Sequence, residues 1–243
     1  MGAEESVSGA PIVGILGGIG PESTIDYYRG IIAEFARRGG DWPAPRIVIT
    51  SLDVQRLLGY MGSARLDLAA EYLVEEAERL AAAGATFGAI AANTPHIVFD
   101  RLKAGSSLPM LSIVEAVGEA ARTSGLQRLG LFGTRYTVEA SFYPDMLTRM
   151  GIEVVLPSAD EIAWIHERYI GELLKNVFLP QTRDRMLSIA RRLRDERGID
   201  GLILGGTELP LLLRDTTDSD LAGVPLLDST LIHVDAIVTR LLA

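Results

Sequence analysis

The chain has 243 residues, 48% of them hydrophobic and 23% charged, no cysteine, and a formal net charge of −9 with a pI near 4.9. That length holds one large domain or two small ones, each with a sizeable core. The acidic balance argues against a nucleic-acid binder, which needs basic surface to displace counterions, and the missing cysteines exclude disulfides, thiolate nucleophiles and sulfur metal ligands. No stretch approaches the roughly 18–20 apolar residues of a membrane span, so no membrane partner is expected. Met1 to Ala10 carries Glu4 and Glu5 without a basic and then apolar run; it does not read as a secretory signal, and a cytoplasmic location is the expectation. His96, His166 and His233 share no ligand-like spacing, so no metal is expected.

In chain order, Pro11 to Leu16 reads as a buried strand, followed by Gly17-Gly18-Ile19-Gly20. Pro21 then suits the first turn of a helix, whose apolar face is taken as Ile25, Tyr28, Ile32 and Phe35. Arg46 to Ser51 is a second strand, and the Ala-, Leu- and Glu-rich run Asp67 to Ala83 is a helix ended near Gly84. Phe87 to Ala91 is a short strand, Ile97 to Leu102 a short helix, and Pro109 to Ile113 leads into a helix through Ala121. The same grammar then restarts. Leu129 to Phe132 is a strand, helices run near Phe142–Met150, Ile162–Val177 and Asp184–Arg194, and Leu202 to Leu204 is a strand. A short strand, Val224 to Leu227, precedes a last helix from about Ser229 to Leu242. Alternation of this kind predicts mainly parallel sheets covered by helices, an α/β fold.

Two segments echo one another. Gly14-Ile15-Leu16-Gly17-Gly18 resembles Gly130-Leu131-Phe132-Gly133-Thr134, and Ile90-Ala91-Ala92-Asn93-Thr94 resembles Leu204-Gly205-Gly206-Thr207-Glu208 at nearly the same offset. The repeat predicts two similar α/β lobes, whose strand-end loops open into one cleft, since ligands in such folds lie beyond the carboxyl ends of the strands. Small residues also end strands in any α/β protein, so the echo alone leaves the plainer reading open. The first lobe is expected over residues 1–112 plus 216–243 and the second over 113–215.

The glycine run at Gly17 to Gly20 is neither a dinucleotide fingerprint nor a P-loop, because Ser23 stands where a third glycine belongs and no Gly-Lys-Ser follows. It remains a turn feeding a helix N-terminus, suited to a carboxylate, or a plain strand-to-helix turn. Asn93 and Thr94 follow a buried strand and are either ligand contacts or caps of the next helix. His96 reads as a structural residue or an acid–base group. Glu208 is a general base if partly buried, or else holds its own loop. Arg56, Arg135 and Lys175 are possible carboxylate partners or solvated charges. Arg191, Arg192 and Arg194, interleaved with Asp195 and Glu196, read as an exposed helix face.

Taken together, GILGGIGPEST, AANTPH, GTRYT and GGTELP resemble the aspartate/glutamate racemase superfamily, in order and over nearly the whole chain. Glu22-Ser23-Thr24 followed by Tyr27-Tyr28-Arg29 resembles its amino-acid racemase branch. The resemblance implies two pseudo-symmetric α/β lobes with the active site between them, no cofactor, a small carboxylate or amino-acid substrate, and a homodimer. It implies one cysteine per lobe, exchanging protons with the two faces of the substrate α-carbon. Those cysteines fall on Ala92 and Gly206, which cannot move a proton. The resemblance further implies substrate contacts at Gly18, Arg56, Asn93, Thr94, Thr134 and Thr207; Lys175 lies about one position out of register with the family's lysine. An enzyme without thiols would have to use other groups, with Glu208, His96 or a bound water as the candidates.

Three readings follow: an enzyme acting at the carbon α to a carboxylate (isomerase, decarboxylase or lyase) without thiols, a silent carboxylate-binding or regulatory protein, or a structural paralogue. Fold alone does not choose among them.

Overall fold

The computed structural model describes residues 9–39, 44–213 and 222–243. The chain divides into two compact bodies, each built on a four-stranded, all-parallel sheet of the same strand order. Most of the segment read as carrying no leader, and residues 216–221 of the first expected lobe, lie outside the described residues.

The first body carries β1 (Ile12–Gly17), α1 (Pro21–Gly39), β2 (Arg46–Ser51), α2 (Val54–Gly62), α3 (Leu66–Ala82), β3 (Phe87–Ile90), α4 (Phe99–Gly105) and β4 (Met110–Leu111). Its sheet order is β2-β1-β3-β4. β1 is buried at every position, the mark of a central parallel strand covered on both faces. Gly14 is needed there for space, because a Cβ would lie 3.0 Å from Leu80 and Ala85 side-chain atoms. Val13, Ile15, Phe87 and Ala89 pack with α1 residues Tyr27, Ile31 and Phe35 and with Val234, Ile237 and Val238 of the C-terminal helix. The α1 face expected from the sequence is corrected here. Ile25, Tyr28 and Ile32 are exposed, and the buried stripe is Ser23, Tyr27, Ile31 and Phe35. Both stripes have helical spacing, and only packing on the sheet selects between them.

The second body carries α5 (Ile113–Thr123), β5 (Arg128–Gly133), α6 (Arg135–Glu139), α7 (Phe142–Arg149), β6 (Glu153–Val155), α8 (Ala159–Gly171), α9 (Pro180–Arg197), β7 (Gly201–Gly205), α10 (Glu208–Leu213), β8 (Leu226–Asp228) and the start of α11 (Ser229–Leu241). Its order, β6-β5-β7-β8, repeats that of the first sheet strand for strand. Alternation sorts its side chains: Leu202 and Leu204 join Tyr169, Leu193 and Leu209 on one face, while Leu129, Leu131 and Ile203 join Val117 and Leu147 on the other. The echoed segments occupy matching places, since Gly14 and Gly130 lie in β1 and β5 and the Asn-Thr and Thr-Glu loops follow β3 and β7.

Lobe boundaries differ from expectation in two ways. β8 pairs in parallel with β7 through Leu202–Leu226 to Leu204–Asp228, so residues 222–233 belong to the second body and only Val234–Ala243 to the first. Residues 92–97 also belong to the second body although β3 belongs to the first. Strand pairing decides the first, and the hydrogen bonds of Asn93 with Tyr143 and Ser229 and of His96 with Ile113 accompany the second. The long helix expected over 162–177 ends at Gly171 and is followed by a 3-10 turn, Leu173–Lys175, closed by Asn176 in the left-handed region at φ 57°. α2, β6, α6 and α10 were not anticipated; each is nine residues or fewer, too short for a clear period.

Candidate functional site

In the second body, two strand-end loops supply the residues that the sequence singled out. The first begins at Ala92. Asn93, 6% exposed, uses both ends of its amide: its Nδ2 donates to Ser229 Oγ at 3.2 Å, and its Oδ1 accepts from the Tyr143 hydroxyl at 2.7 Å. Ser229 in turn donates to the Leu204 carbonyl at 2.7 Å. This chain of bonds ties the loop after β3 to the core strand β7. Neither Tyr143 nor Ser229 was singled out by the sequence. Burial raises the Tyr143 hydroxyl above the ordinary tyrosine range, so it acts as a donor.

His96 is engaged by backbone atoms on both ring nitrogens. Its Nε2 accepts from the Ile113 N–H at 3.2 Å, which leaves the proton on Nδ1, directed at the Ala92 and Asn93 carbonyls at 3.1 Å each. Burial lowers its pKa to about 4, so the ring is neutral and committed to backbone.

Thr94 hydrogen-bonds through its hydroxyl to Thr137 at 3.1 Å, and Thr137 to Thr134 at 3.3 Å. Thr134 is the N-cap of α6 and accepts from the Thr137 N–H. Three threonine hydroxyls thus form one row, with Thr137 almost fully buried at its centre. Thr137 closes the GTRYT segment, and its place between two other threonine hydroxyls is set by a contact with Thr94, 43 residues away.

The second loop begins at Gly206. Glu208 Oε2 accepts from Thr207 Oγ1 at 2.9 Å and from the hydroxyl of Tyr169. Among the described residues both bonds fall on Oε2 and none on Oε1. Tyr169 lies on the inner face of α8, spaced with Ile162, Ile165 and Leu173 as an apolar helix stripe; a hydroxyl on such a stripe needs a partner, and that was the available signal. A Cβ added at Gly206 would lie 2.9 Å from Tyr169 Cε2 and Cζ and closer still to its hydroxyl.

In the first body, Gly18 has φ +80° and donates its N–H to Thr24 Oγ1 at 2.8 Å, so this N–H is already engaged within its own turn. A side chain there would also meet the Leu52 N–H and Ser51 Oγ at 2.7 Å. Arg56 is exposed, bonded through Nε to the Tyr60 hydroxyl at 3.0 Å and stacked over Tyr72 at 4.3 Å. Two aromatic rings hold its guanidinium in place without a carboxylate of the protein pairing with it among the described ion pairs.

The remaining cations stay outside these clusters. Arg135 lies 3.8 Å from Glu139 one helical turn away, and Lys175 is exposed on the 3-10 turn. Arg192 is corrected from a plain surface charge: it grips Glu161 of α8 at 2.5 and 3.0 Å and so joins α9 to α8. Among the described residues no group of three or more His, Asp or Glu side chains could hold a metal ion, and no described helix is long and apolar enough to cross a membrane.

Comparison with known proteins decides the family. A model described as Asp/Glu/Hydantoin racemase matches residues 16–237. The chain belongs to that family. Among solved structures, this family member is similar to a provisionally named Asp/Glu racemase from Yersinia pestis, with 32% identity over 96% of this chain and 100% of that one and a TM-score of 0.89. It is also similar to an aspartate racemase homologue from Pyrococcus horikoshii OT3, with 31% identity, 95% and 99% coverage and a TM-score of 0.83. A glutamate racemase from Aquifex aeolicus is 32% identical over 146 residues, 58% of this chain and about half (53%) of that enzyme's length. The family is therefore that of a racemase, and the chain carries no cysteine at all.

Proposed function

We propose that this chain binds a small carboxylic acid or amino acid and exchanges the proton on the carbon α to its carboxylate, from the Gly206 side only, with Glu208 as the base. The observation that carries this reading is the state of Glu208. Two hydroxyl donors hold Oε2 in a partly buried setting beside the residue that matches the family's second cysteine. Oε1 is then the oxygen that takes the α-proton: the C–H bond breaks, its electron pair spreads into the substrate carboxylate, the proton on Oε1 exchanges with solvent, and a solvent-derived proton returns from Oε1 to the same face of the carbon as the electron pair flows back. On the Ala92 side nothing matches this, because His96 and Asn93 are committed within the fold. The expected outcome is exchange with retention rather than inversion.

The hydroxyls of Thr94 and Thr207 are proposed as carboxylate contacts, with Asn93 and Thr134 shaping their loops; Gly18 and the stacked Arg56 are proposed separately as substrate contacts offered by the first body. The same proposal takes the chain as a cytoplasmic homodimer, whose mass light scattering would report.

Incubation in D₂O with aspartate, glutamate, other amino acids and dicarboxylates, followed by NMR and chiral chromatography, tests the reading. α-Deuteration without loss of optical purity supports it. Absence of exchange with every acid, or unchanged exchange in Glu208→Gln, ends it. A second reading, a silent carboxylate-binding protein, is favoured by the locked Ala92 loop and would show saturable calorimetric binding without exchange.

A further inference from the structure

We infer that Tyr169 is the positioning residue of this site: it fills the space that a side chain at position 206 would need, and from there it fixes Glu208. The second half of this inference rests on the reading of Glu208 as the base.

Glycine at 206 is not demanded by the backbone, since Gly206 is not among the glycines with positive φ. It is demanded by Tyr169. The three atoms nearest to an added Cβ are all Tyr169 atoms, its hydroxyl, Cε2 and Cζ. A residue of any kind other than glycine, cysteine included, would have to move that ring. The absence of a thiol at 206 and the presence of a phenol at 169 are therefore one feature rather than two.

The ring itself is placed firmly. Tyr169 is 4% exposed and packs with Phe132, Ile165, Leu173, Leu204 and Leu209. A phenol in such surroundings costs stability unless its hydroxyl finds a partner, and its one donor bond goes to Glu208 Oε2. Burial first, and the Glu208 charge second, push the phenol well above its ordinary range. It thus keeps its proton and acts as a fixed donor rather than a base. With Thr207 on the same oxygen, the carboxylate loses rotational freedom and presents Oε1 in a preset direction, so the cost of orienting it is met on folding rather than in each turnover.

A merely structural tyrosine and a positioning one differ in what their removal does to turnover. Tyr169→Phe keeps the ring and removes the donor. Its exchange kcat is expected to fall about tenfold to a hundredfold, the scale of one bond to a charged group, with KM changed less than about twofold. Unchanged kcat in Tyr169→Phe, with Glu208→Gln inactive, overturns the inference and leaves the proposed function standing; a parent protein that exchanges nothing overturns both the function and the positioning role.

The shared space is tested separately, without activity, by a stability cycle in urea. Gly206→Ala should lower the folding equilibrium constant at least tenfold more with Tyr169 present than in the Tyr169→Ala background. Equal costs in the two backgrounds overturn it.

Discussion

The loops after β3 and β7 occupy matching places in two sheets of identical strand order, yet they are held by different chemistry. The loop at Ala92 is held by neutral groups: an asparagine amide between a tyrosine and a serine, and an uncharged imidazole between backbone atoms. The loop at Gly206 is held around a carboxylate, by Tyr169 and Thr207. Equivalent topology therefore gives one loop held by neutral groups and one built around a carboxylate. The lesson is that a repeated fold repeats positions and not roles, and that an asymmetric site can be built on two similar halves.

Breaking the neutral lock should have the largest effect. Asn93→Ala strands the buried Tyr143 hydroxyl and loosens Ser229, and at about 1–3 kcal/mol for each buried group left unsatisfied it should cost roughly 2–4 kcal/mol in urea unfolding. A cost below 1 kcal/mol would mean that the loop is not held this way.

The same lock carries a pH signature. Folded His96, with its pKa lowered from 6.5 to about 4, refuses a proton that the unfolded chain accepts. Its contribution is complete above pH 6.5 and is lost as pH falls toward about 4. The full amount is about 3 kcal/mol by proton linkage. His96→Gln should flatten the stability profile between those values by that amount, measured by denaturation at each pH. A variant as pH-sensitive as the parent would assign the dependence to other groups.

Smaller changes sharpen the contrast. Thr137→Val removes the middle of the threonine row with little change of shape and should cost about 1 kcal/mol, read as a shift of the thermal midpoint. Arg56→Ala should alter stability by less than about 1 kcal/mol, because its stacking is exposed. It should nevertheless weaken carboxylate binding about tenfold, the worth of one charge-assisted contact. Unaltered affinity in calorimetry would remove Arg56 from the site.

Much of the architecture was legible from local pattern. The apolar run of β1 was readable as a buried strand, and the echo of Gly14 at Gly130 pointed to a second copy of the unit, which the matching strand orders then showed. The two loops stood out by their place at strand ends, the absence of any thiol was plain from composition, and its assignment to Ala92 and Gly206 came from the family resemblance. Local pattern failed where two answers were equally periodic. α1 offered two apolar stripes, and contact with β1 and β3 chose Tyr27, Ile31 and Phe35 over Ile25, Tyr28 and Ile32.

What the sequence by itself determined is therefore the class of fold and the impossibility of thiol chemistry, because each depends on residue type and near-neighbour spacing. The tertiary structure alone decided that β8 joins the second sheet, that His96 is spent on backbone, and that Tyr169 stands over Gly206 on the way to Glu208. Those are contacts between residues far apart in the chain, and no period or motif records which hydroxyl will meet which carboxylate once two helices and a strand have packed together.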